Sequence, residues 1–353
     1  MIETLHARIA RVAKETQFSG AVRASVPGEE TVTAAFGLAD RTHDVPNRID
    51  TRFGIASGTK LLTALGIAAL VEDGELDFAS RLRDVSSWEM PGLDPEVTID
   101  YLLTHQSGVY DYYDEDEVDS SEFVLEIPPY RLLRPSDYLP MLFRGDPKFS
   151  PGERFSYSNG GYVLLGIVIE ELTGDFHRFL ESRILAPAGM TSSGFFRFDR
   201  LPRNTASGYV DAEDGWNTNI YDLPRIGGPD GGAFVSVADM ESLWRSILTG
   251  QLLSETMVRN CLSRVAHVDG PQHYGRGVWI REDDPGQPVL YVVGADAGVS
   301  FRSSCYGDDT IVTVVSNTSD GAWPLSREID QWVREVVPPE GRSFALGLGQ
   351  GLV

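Results

Sequence analysis

Strand-like segments at both ends of this chain enclose a middle part that has the pattern of helices and loops. Near the N-terminus, residues 19–26 and 30–38 are β-like and flank the turn Pro27-Gly28. Near the C-terminus, four further β-like runs follow one another at short intervals: 275–281, 288–294, 299–306 and 309–317. Strands joined by short turns pair antiparallel. We therefore expect both ends of the chain to build one antiparallel sheet.

Helical periodicity marks the segments between and beside these strands. Helices are predicted at 2–16, from Ser57 to Gly74, and at 160–173, 175–186, 237–249 and 323–336. The fold class is therefore α+β with two lobes and a cleft between them. We expect a single domain over 1–340, with an α/β lobe at about 1–75 and 235–340, an inserted helical lobe at about 76–234, and a C-terminal tail at 341–353.

The net charge limits the partners. The 353 residues carry 30 basic and 52 acidic side chains, which gives a formal net charge of −22. Nucleic acids and anionic lipids are negative as well, so we expect this surface to repel both.

The first 18 residues lack the continuous apolar core of a secretion signal, and no run approaches the ~20 apolar residues of a membrane span. We expect a cytoplasmic protein with no metal or cofactor, and the oligomeric state stays open.

The first chemical pattern is Ser57-Gly58-Thr59-Lys60. If Ser57 begins a helix, Ser57 and Lys60 lie at i and i+3 on one face, and the amine can reach the hydroxyl. A serine needs a base to take its proton, and a lysine can serve only when apolar surroundings lower its pKa from about 10.4. The flanking residues are apolar. The alternative is a capping serine followed by an exposed lysine.

The second pattern is the segment 155–162 (FSYSNGGY), which precedes a predicted helix. Tyr157 and Asn159 are two residues apart and can both project into a cleft. Tyr157 would exchange a proton with Lys60 and later protonate the leaving group. Asn159 would accept from Lys60 and donate to a substrate carbonyl. The alternative is a capping turn in which Asn159 satisfies only backbone groups.

Together, Ser57-x-x-Lys60 and Tyr157-x-Asn159 resemble the motifs of the family of class C β-lactamases, penicillin-binding proteins, DD-peptidases and related esterases. Further segments are similar to the same family: 102–108 (LLTHQSG), 151–155 (PGERF) and 231–236 (GGAFVS). The resemblance implies a β-lactamase/transpeptidase-like fold. It also implies an acyl-enzyme mechanism, in which Ser57 is acylated, Lys60 accepts its proton and Tyr157 shares in the proton transfers.

One family element is changed. The family usually carries Lys or His, any residue, then Gly on the strand that lines the cleft, and the matching segment here is 291–299 (YVVGADAGV). With Gly294 as the motif glycine, Val292 takes the cationic position; in an alternative register Ala295 takes it, with the same consequence. Neither side chain can pair with a substrate carboxylate. The amide of Ala295 is expected to join that of Ser57 in an oxyanion hole.

We therefore expect a serine hydrolase that acts on a small ester, amide or peptide and has weak or no β-lactam hydrolysis. The long acidic segment 109–135, expected to be a surface excursion, would repel anionic substrates if it lay at the cleft. The predicted catalytic residues are Ser57, Lys60 and Tyr157, and the predicted substrate-binding residues are Asn159, Gly294 and Ala295. The alternative is a catalytically weak penicillin-binding or scaffold protein that retains the fold.

Overall fold

The computed structural model describes residues 3–118, 123–283, 287–306 and 309–336. Its strands are β1 Gly20–Ser25, β2 Val32–Phe36, β3 Leu38–Asp40, β4 Val45–Pro46, β5 Phe53–Gly54, β6 Tyr209–Ala212, β7 Gly215–Thr218, β8 Phe234–Val235, β9 Ala266–Asp269, β10 Gln272–Tyr274, β11 Trp279–Asp283, β12 Gln287–Asp296, β13 Val299–Cys305 and β14 Ile311–Ser316. Its α-helices are α1 Leu5–Glu15, α2 Thr59–Glu72, α3 Leu82–Val85, α4 Ile99–Leu103, α5 Leu139–Leu142, α6 Asn159–Thr173, α7 Phe176–Leu180, α8 Val237–Leu248, α9 Glu255–Leu262 and α10 Ala322–Val336.

The main sheet joins the two ends of the chain. Its strands lie in the order β2-β1-β14-β13-β12-β11-β10-β9, and every neighbouring pair is antiparallel. Strand β1 pairs with the sequence-distant β14, so that Gly20 lies opposite Ser316 and Ser25 opposite Ile311. The predicted α+β class, with an antiparallel sheet built from both chain ends, is confirmed.

The two faces of the sheet are covered by different helices. Because side chains alternate along a strand, Val22 and Val314 pack with α1 and α10 on one face. Their neighbours Ala21 and Val315 point to the larger core on the other face. The sheet is therefore buried on both sides, and the larger core carries the functional side chains described below.

Helix α2 runs through the larger core. Every residue from Thr59 to Leu70 is buried, and the helix packs against α6 and α7. Apart from Lys60, this segment is largely apolar on every face. A helix of that kind is buried on every face. The helix begins with one 3₁₀ turn at Ala56–Gly58. Lys60 is thus forced into the protein interior, where its amine needs polar partners.

Several predicted bounds differ from the structure. The run 275–281 is not one strand, because Gly277 has φ +87° and separates β10 from β11. The helix predicted at 175–186 is α7 followed by a π turn at Glu181–Leu185. Helix α9 and strand β9 were not predicted. Residues 307–308, between the runs predicted at 299–306 and 309–317, and the tail 341–353 lie outside the described residues. The two-lobe boundaries stay a prediction.

Candidate active site

Ser57 lies in a tightly held turn at the start of α2. The preceding residue, Ala56, has φ +44°, a left-handed conformation that is costly for a residue with a side chain. Neighbouring groups hold it there: the carbonyl of Ala56 accepts from the Thr59 hydroxyl at 2.8 Å and from the amide of Gly232 at 3.3 Å. Ser57 itself remains partly accessible. The turn therefore presents the hydroxyl to the cleft in a fixed position.

Lys60 reaches Ser57 from the interior. Its Nζ is 3.0 Å from Ser57 Oγ, 2.7 Å from Asn159 Oδ1 and 2.7 Å from the carbonyl oxygen of Asp230. The lysine is only 2% exposed. Burial lowers the pKa of Lys60, and the negative charges of Asp230 and Glu115 oppose this effect. The balance favours the neutral amine relative to a lysine in water.

These three contacts suit a neutral amine as well as an ammonium. An uncharged lysine keeps two hydrogens and one lone pair. The two hydrogens can be donated to Asn159 Oδ1 and the Asp230 carbonyl oxygen, which can only accept. The lone pair then points to the remaining neighbour, the Ser57 hydroxyl, which can donate. The site therefore orients Lys60 as an acceptor for the Ser57 proton.

Tyr157 is the third side chain of the group around Ser57, the predicted nucleophile. Its phenol interacts with the Ser57 side chain, which tends to lower the pKa of Tyr157, and Lys60 Nζ lies 4.8 Å from the centre of its ring. The ring stacks on Trp279 with centroids 6.1 Å apart and lies 4.4 Å from the ring of His105. Burial raises the pKa of Tyr157 well above its usual value. The phenol therefore keeps its proton at neutral pH and can pass it on.

Asn159 is the first residue of α6, next to the N-cap Ser158, whose side chain accepts from the amide of Gly161. Asn159 Oδ1 accepts from Lys60, as predicted. Its Nδ2 donates to the carbonyl oxygen of Tyr113 at 3.0 Å and to Glu115 Oε1 at 2.9 Å. Both amide hydrogens are thus used within the protein. The side chain orients Lys60 here, and the donor predicted for a substrate carbonyl is already engaged.

The segment predicted as a surface excursion begins inside the cleft. Asp111, 5% exposed, accepts from the backbone amides of Asn159 and Gly160 at 2.7 and 2.8 Å. Asp114 pairs with Lys148 at 2.5 Å, and Lys148 also donates to Ser156. The expectation of a wholly exposed segment is therefore wrong for its first residues, because their carboxylates cap the start of α6 and fasten the Tyr157 turn.

Strand β12 passes directly behind the Ser57 turn. A Cβ at Gly294 would lie 2.1 Å from the carbonyl oxygen of Ile55 and 2.9 Å from the amide nitrogen of Ser57. Only glycine allows this approach. Ala295, the next residue, is exposed and lines the pocket beside Ser57. The structure thus brings both predicted β12 residues to the nucleophile.

Val292 leaves the cationic position of the strand without a charge. It is 3% exposed and belongs to the larger core. Arg302 does not replace it: Arg302 lies opposite Val293 and therefore on the other face of the sheet. There its guanidinium packs 4.1 Å from the centre of the Tyr291 ring. Neither residue offers a cation to a ligand in the cleft.

Several contributors were not predicted as site residues. His105 is buried, and its Nδ1 accepts from the amide of Ser158 at 3.0 Å. Burial lowers the pKa of His105 well below its usual value, and the charge of Lys60 lowers it further. His105 is therefore a structural, neutral histidine. Asp230 accepts a hydrogen bond from Lys60 through its backbone carbonyl oxygen. A side-chain pattern in the sequence cannot predict such a backbone contact.

Comparisons with known proteins agree with this arrangement. A family model described as Beta-lactamase matches residues 5–333. The chain is 33% identical over 201 residues to a penicillin-binding protein of Bacillus subtilis (strain 168), covering 55% of this chain and 42% of that protein. It is 33% identical over 210 residues to Esterase EstB of Burkholderia gladioli, covering 53% and 48%. The chain therefore spans less than half the length of either relative.

Among solved structures, the crystal structure of a penicillin binding protein from Bacillus halodurans superimposes with a TM-score of 0.87 and 41% sequence identity. That match covers 92% of this chain and 99% of the other. Ser57, Lys60 and Tyr157 all lie within the residues matched by the family model. No helix among the described residues combines the length and apolar character needed to cross a bilayer.

Proposed function

This chain belongs to the beta-lactamase family, and from that premise we propose that it is a serine hydrolase working through an acyl-enzyme on Ser57. Its substrates would be small esters, amides or peptides, with weak or no hydrolysis of β-lactams. One observation carries the proposal. Lys60 Nζ lies 3.0 Å from Ser57 Oγ in a buried setting that lowers its pKa, and the Tyr157 phenol interacts with the same hydroxyl.

Acylation follows from this geometry. Neutral Lys60 takes the Ser57 proton while Oγ forms a bond to the substrate carbonyl carbon. The carbonyl oxygen gains the negative charge and is stabilised by backbone amides at Ser57 and Ala295, each donor being worth roughly 3–4 kcal/mol in such sites. The tetrahedral intermediate then collapses and the bond to the leaving group breaks. Tyr157 protonates the leaving group and regains a proton from the Lys60 ammonium.

Deacylation reverses the proton path. A water molecule takes the place of the leaving group, gives a proton through Tyr157 to neutral Lys60, and attacks the acyl carbon. Collapse releases the acid, and Ser57 Oγ recovers its proton from Lys60. All proton donors and acceptors in both steps are then supplied by Ser57, Lys60, Tyr157 and water.

Val292 supports a substrate without an essential carboxylate. The carboxylate of a β-lactam or of a peptide terminus needs a cation or a fork of donors in the cleft, and Val292 and Arg302 provide neither. Esterase EstB, to which the chain is similar, is named an esterase. We place esters and uncharged amides ahead of β-lactams for this reason.

Intact-mass spectrometry tests the proposal. The protein is incubated with a fluorophosphonate, a p-nitrophenyl ester and a penicillin, beside the Ser57→Ala variant. A mass increase on the wild type that is absent from Ser57→Ala supports the acyl-enzyme. The second candidate function is a catalytically weak penicillin-binding or scaffold protein, and the departure from the family pattern at Val292 leaves room for it. It predicts either no adduct with any probe or a penicillin adduct that persists without turnover.

A further inference from the structure

The ionisable side chains that line the pocket beside Ser57 include four carboxylates and no basic group among the described residues. The pocket encloses about 740 Å³, counting its open mouth. The four carboxylates are those of Glu115, Asp222, Asp230 and Asp296. No arginine, lysine or histidine is among the described residues of its wall. A small concave site lined by one sign of charge concentrates ligands of the opposite sign.

These carboxylates lack the partners that acids have elsewhere in the protein. Asp330, for example, pairs with Arg281 at 3.1 Å. Within the described part of the chain, the four pocket carboxylates form no ion pair. Asp230 accepts from the Tyr112 hydroxyl at 2.5 Å and from the backbone amides of Asp230 and Gly231. Asp296 accepts from the neighbouring amide of Ala297 at 2.8 Å. These donors are neutral, so they do not balance the negative charge that the four acids carry when they are ionised.

A second, independent observation points to a missing ligand. Tyr138 lines the same pocket and is only 2% exposed. Its hydroxyl oxygen has no hydrogen-bond partner among the described residues. Besides burial, the charges of Asp230 and Asp296 raise the pKa of Tyr138, so all three groups act on one region. A buried hydroxyl without a partner is unusual, and a ligand that donates hydrogen bonds would satisfy it.

Aromatic side chains form much of the remaining wall. The faces of such rings attract ammonium groups. Five aromatic residues line the pocket: Tyr112, Tyr113, Phe123, Tyr138 and Phe198. Aromatic faces, carboxylates and a free phenolic oxygen are together the chemical surroundings that suit a protonated amine and disfavour a carboxylate.

The position of the pocket shows which part of a substrate it would hold. Tyr157, the proposed proton donor to the leaving group, is not among its lining residues, and neither is Trp279, on which Tyr157 stacks. The leaving group must face Tyr157. The pocket therefore takes the acyl side of the scissile bond.

We propose that Asp230, Asp296 and the Tyr138 hydroxyl bind a protonated amine on the acyl group of the substrate, so that the protein prefers aminoacyl esters or amides. This inference rests on the proposed function in one respect, that Ser57 attacks the carbonyl next to the pocket. The recognition itself is a separate property of the pocket wall and can be measured without catalysis.

Three p-nitrophenyl esters with the same two-methylene spacer test the preference: β-alanyl, butyryl and succinyl, which end in an ammonium, a methyl and a carboxylate. Each kcat/KM is divided by the uncatalysed rate of the same ester, and assays are run at low and at high salt, because salt screens the field of the exposed acids. We expect the β-alanyl ester to exceed the butyryl ester by about tenfold or more, with the succinyl ester lowest.

Variants then locate the effect. Asp296→Asn and Asp230→Asn are expected to reduce the β-alanyl to butyryl ratio by roughly fivefold or more. Glu75→Gln removes one negative charge from an exposed position after α2 and should leave the ratio as in the wild type. A β-alanyl to butyryl ratio near one at high salt, or a ratio that neither pocket variant changes, overturns the proposal. Turnover of the esters would in that case still support the serine hydrolase.

A binding measurement separates the two proposals. The Ser57→Ala variant is titrated by NMR with 3-aminopropionamide, butyramide and succinamate. Preferential binding of the amine, lost in the Ser57→Ala/Asp296→Asn double variant, supports the cation pocket even if no ester is turned over. Equal binding of all three, or preference for succinamate, overturns it. Absence of any Ser57 adduct in the wild type contradicts only the proposed function.

Discussion

The imidazole of His105 holds the backbone of Ser158, because its Nδ1 accepts the Ser158 amide hydrogen at 3.0 Å. Ser158 separates Tyr157 from Asn159, so this one bond fixes the turn that presents both side chains to Lys60. The His105 ring also packs against Tyr157, with centroids 4.4 Å apart. His105 is thus a positioning residue: it acts through the two side chains beside Lys60 and does not reach Ser57 itself.

Replacing His105 by alanine should reduce both stability and activity. A buried amide left without an acceptor costs about 1–3 kcal/mol, and a displaced Tyr157 turn should lower kcat by roughly tenfold to a hundredfold with a smaller change in KM. His105→Asn is the matched control. Asparagine offers an acceptor oxygen and tolerates the φ of +57° found at this position, so it should recover part of kcat. Equal kcat in both variants would contradict the positioning role.

Lys60→Met should abolish acylation while the fold is retained. Methionine fills the buried volume but cannot take the Ser57 proton, and a lost general base typically costs 10²–10⁴ in rate. Lys60→Arg should not be acylated either, because a guanidinium stays protonated and cannot accept the Ser57 proton. Adduct formation is followed by intact-mass spectrometry and folding by circular dichroism. Acylation of Lys60→Met at the wild-type rate would exclude Lys60 as the base.

Asp230→Asn should move the acidic limb of the pH profile to lower pH. The Asp230 charge opposes the lowering of the Lys60 pKa, so removing that charge lowers the pKa of Lys60 further. Catalysis needs the neutral amine, which then persists to lower pH. The measurement is kcat/KM against pH for the uncharged butyryl ester, with Glu75→Gln as the control for net charge. A shift of the limb to higher pH would assign it to another group.

The proposed catalytic residues could be identified from the sequence because their pattern is local. Ser57 and Lys60 are three residues apart and face the same way wherever a helix begins at this point, and Tyr157 and Asn159 are two residues apart in a turn. The apolar segment after Lys60 predicted burial and hence the lowered pKa. The antiparallel sheet followed in the same way from alternation and short turns.

The rest of the site depends on contacts that no local pattern encodes. Asp230 reaches Lys60 through a backbone oxygen, across 170 residues of sequence. Asp111 caps α6 from a segment whose acidic and aromatic composition is typical of an exposed loop. In both cases tertiary packing decides the role of a carboxylate, and its side chain alone does not. Strand β12 was predicted, but its closeness to Ser57 required the register of the assembled sheet.

Gly294→Ala should damage the nucleophile turn. The added Cβ would lie 2.1 Å from the Ile55 carbonyl oxygen, so strand β12 or the turn before α2 must move. We expect kcat to fall by a hundredfold or so, since displacement of the oxyanion donors costs about 10²–10³ in comparable sites. Gly54→Ala is the control, because its Cβ would make only an ordinary contact of 3.4 Å with Val299. Equal activity of the two variants would mean that β12 does not set the turn.

Asp296→Asn should change how stability depends on pH. Burial, together with the charges of Asp230 and Glu115, raises the pKa of Asp296 to about 7, whereas an aspartate in an unfolded chain titrates near 3.9. A carboxyl with a raised folded pKa adds stability that is complete below about pH 4 and is lost as pH rises through about 7. Asparagine does not titrate, so the wild type should lose melting temperature relative to Asp296→Asn between pH 4 and 7. Thermal melts of both proteins across this window test the prediction, and a difference that stays constant with pH would show that Asp296 is ionised throughout.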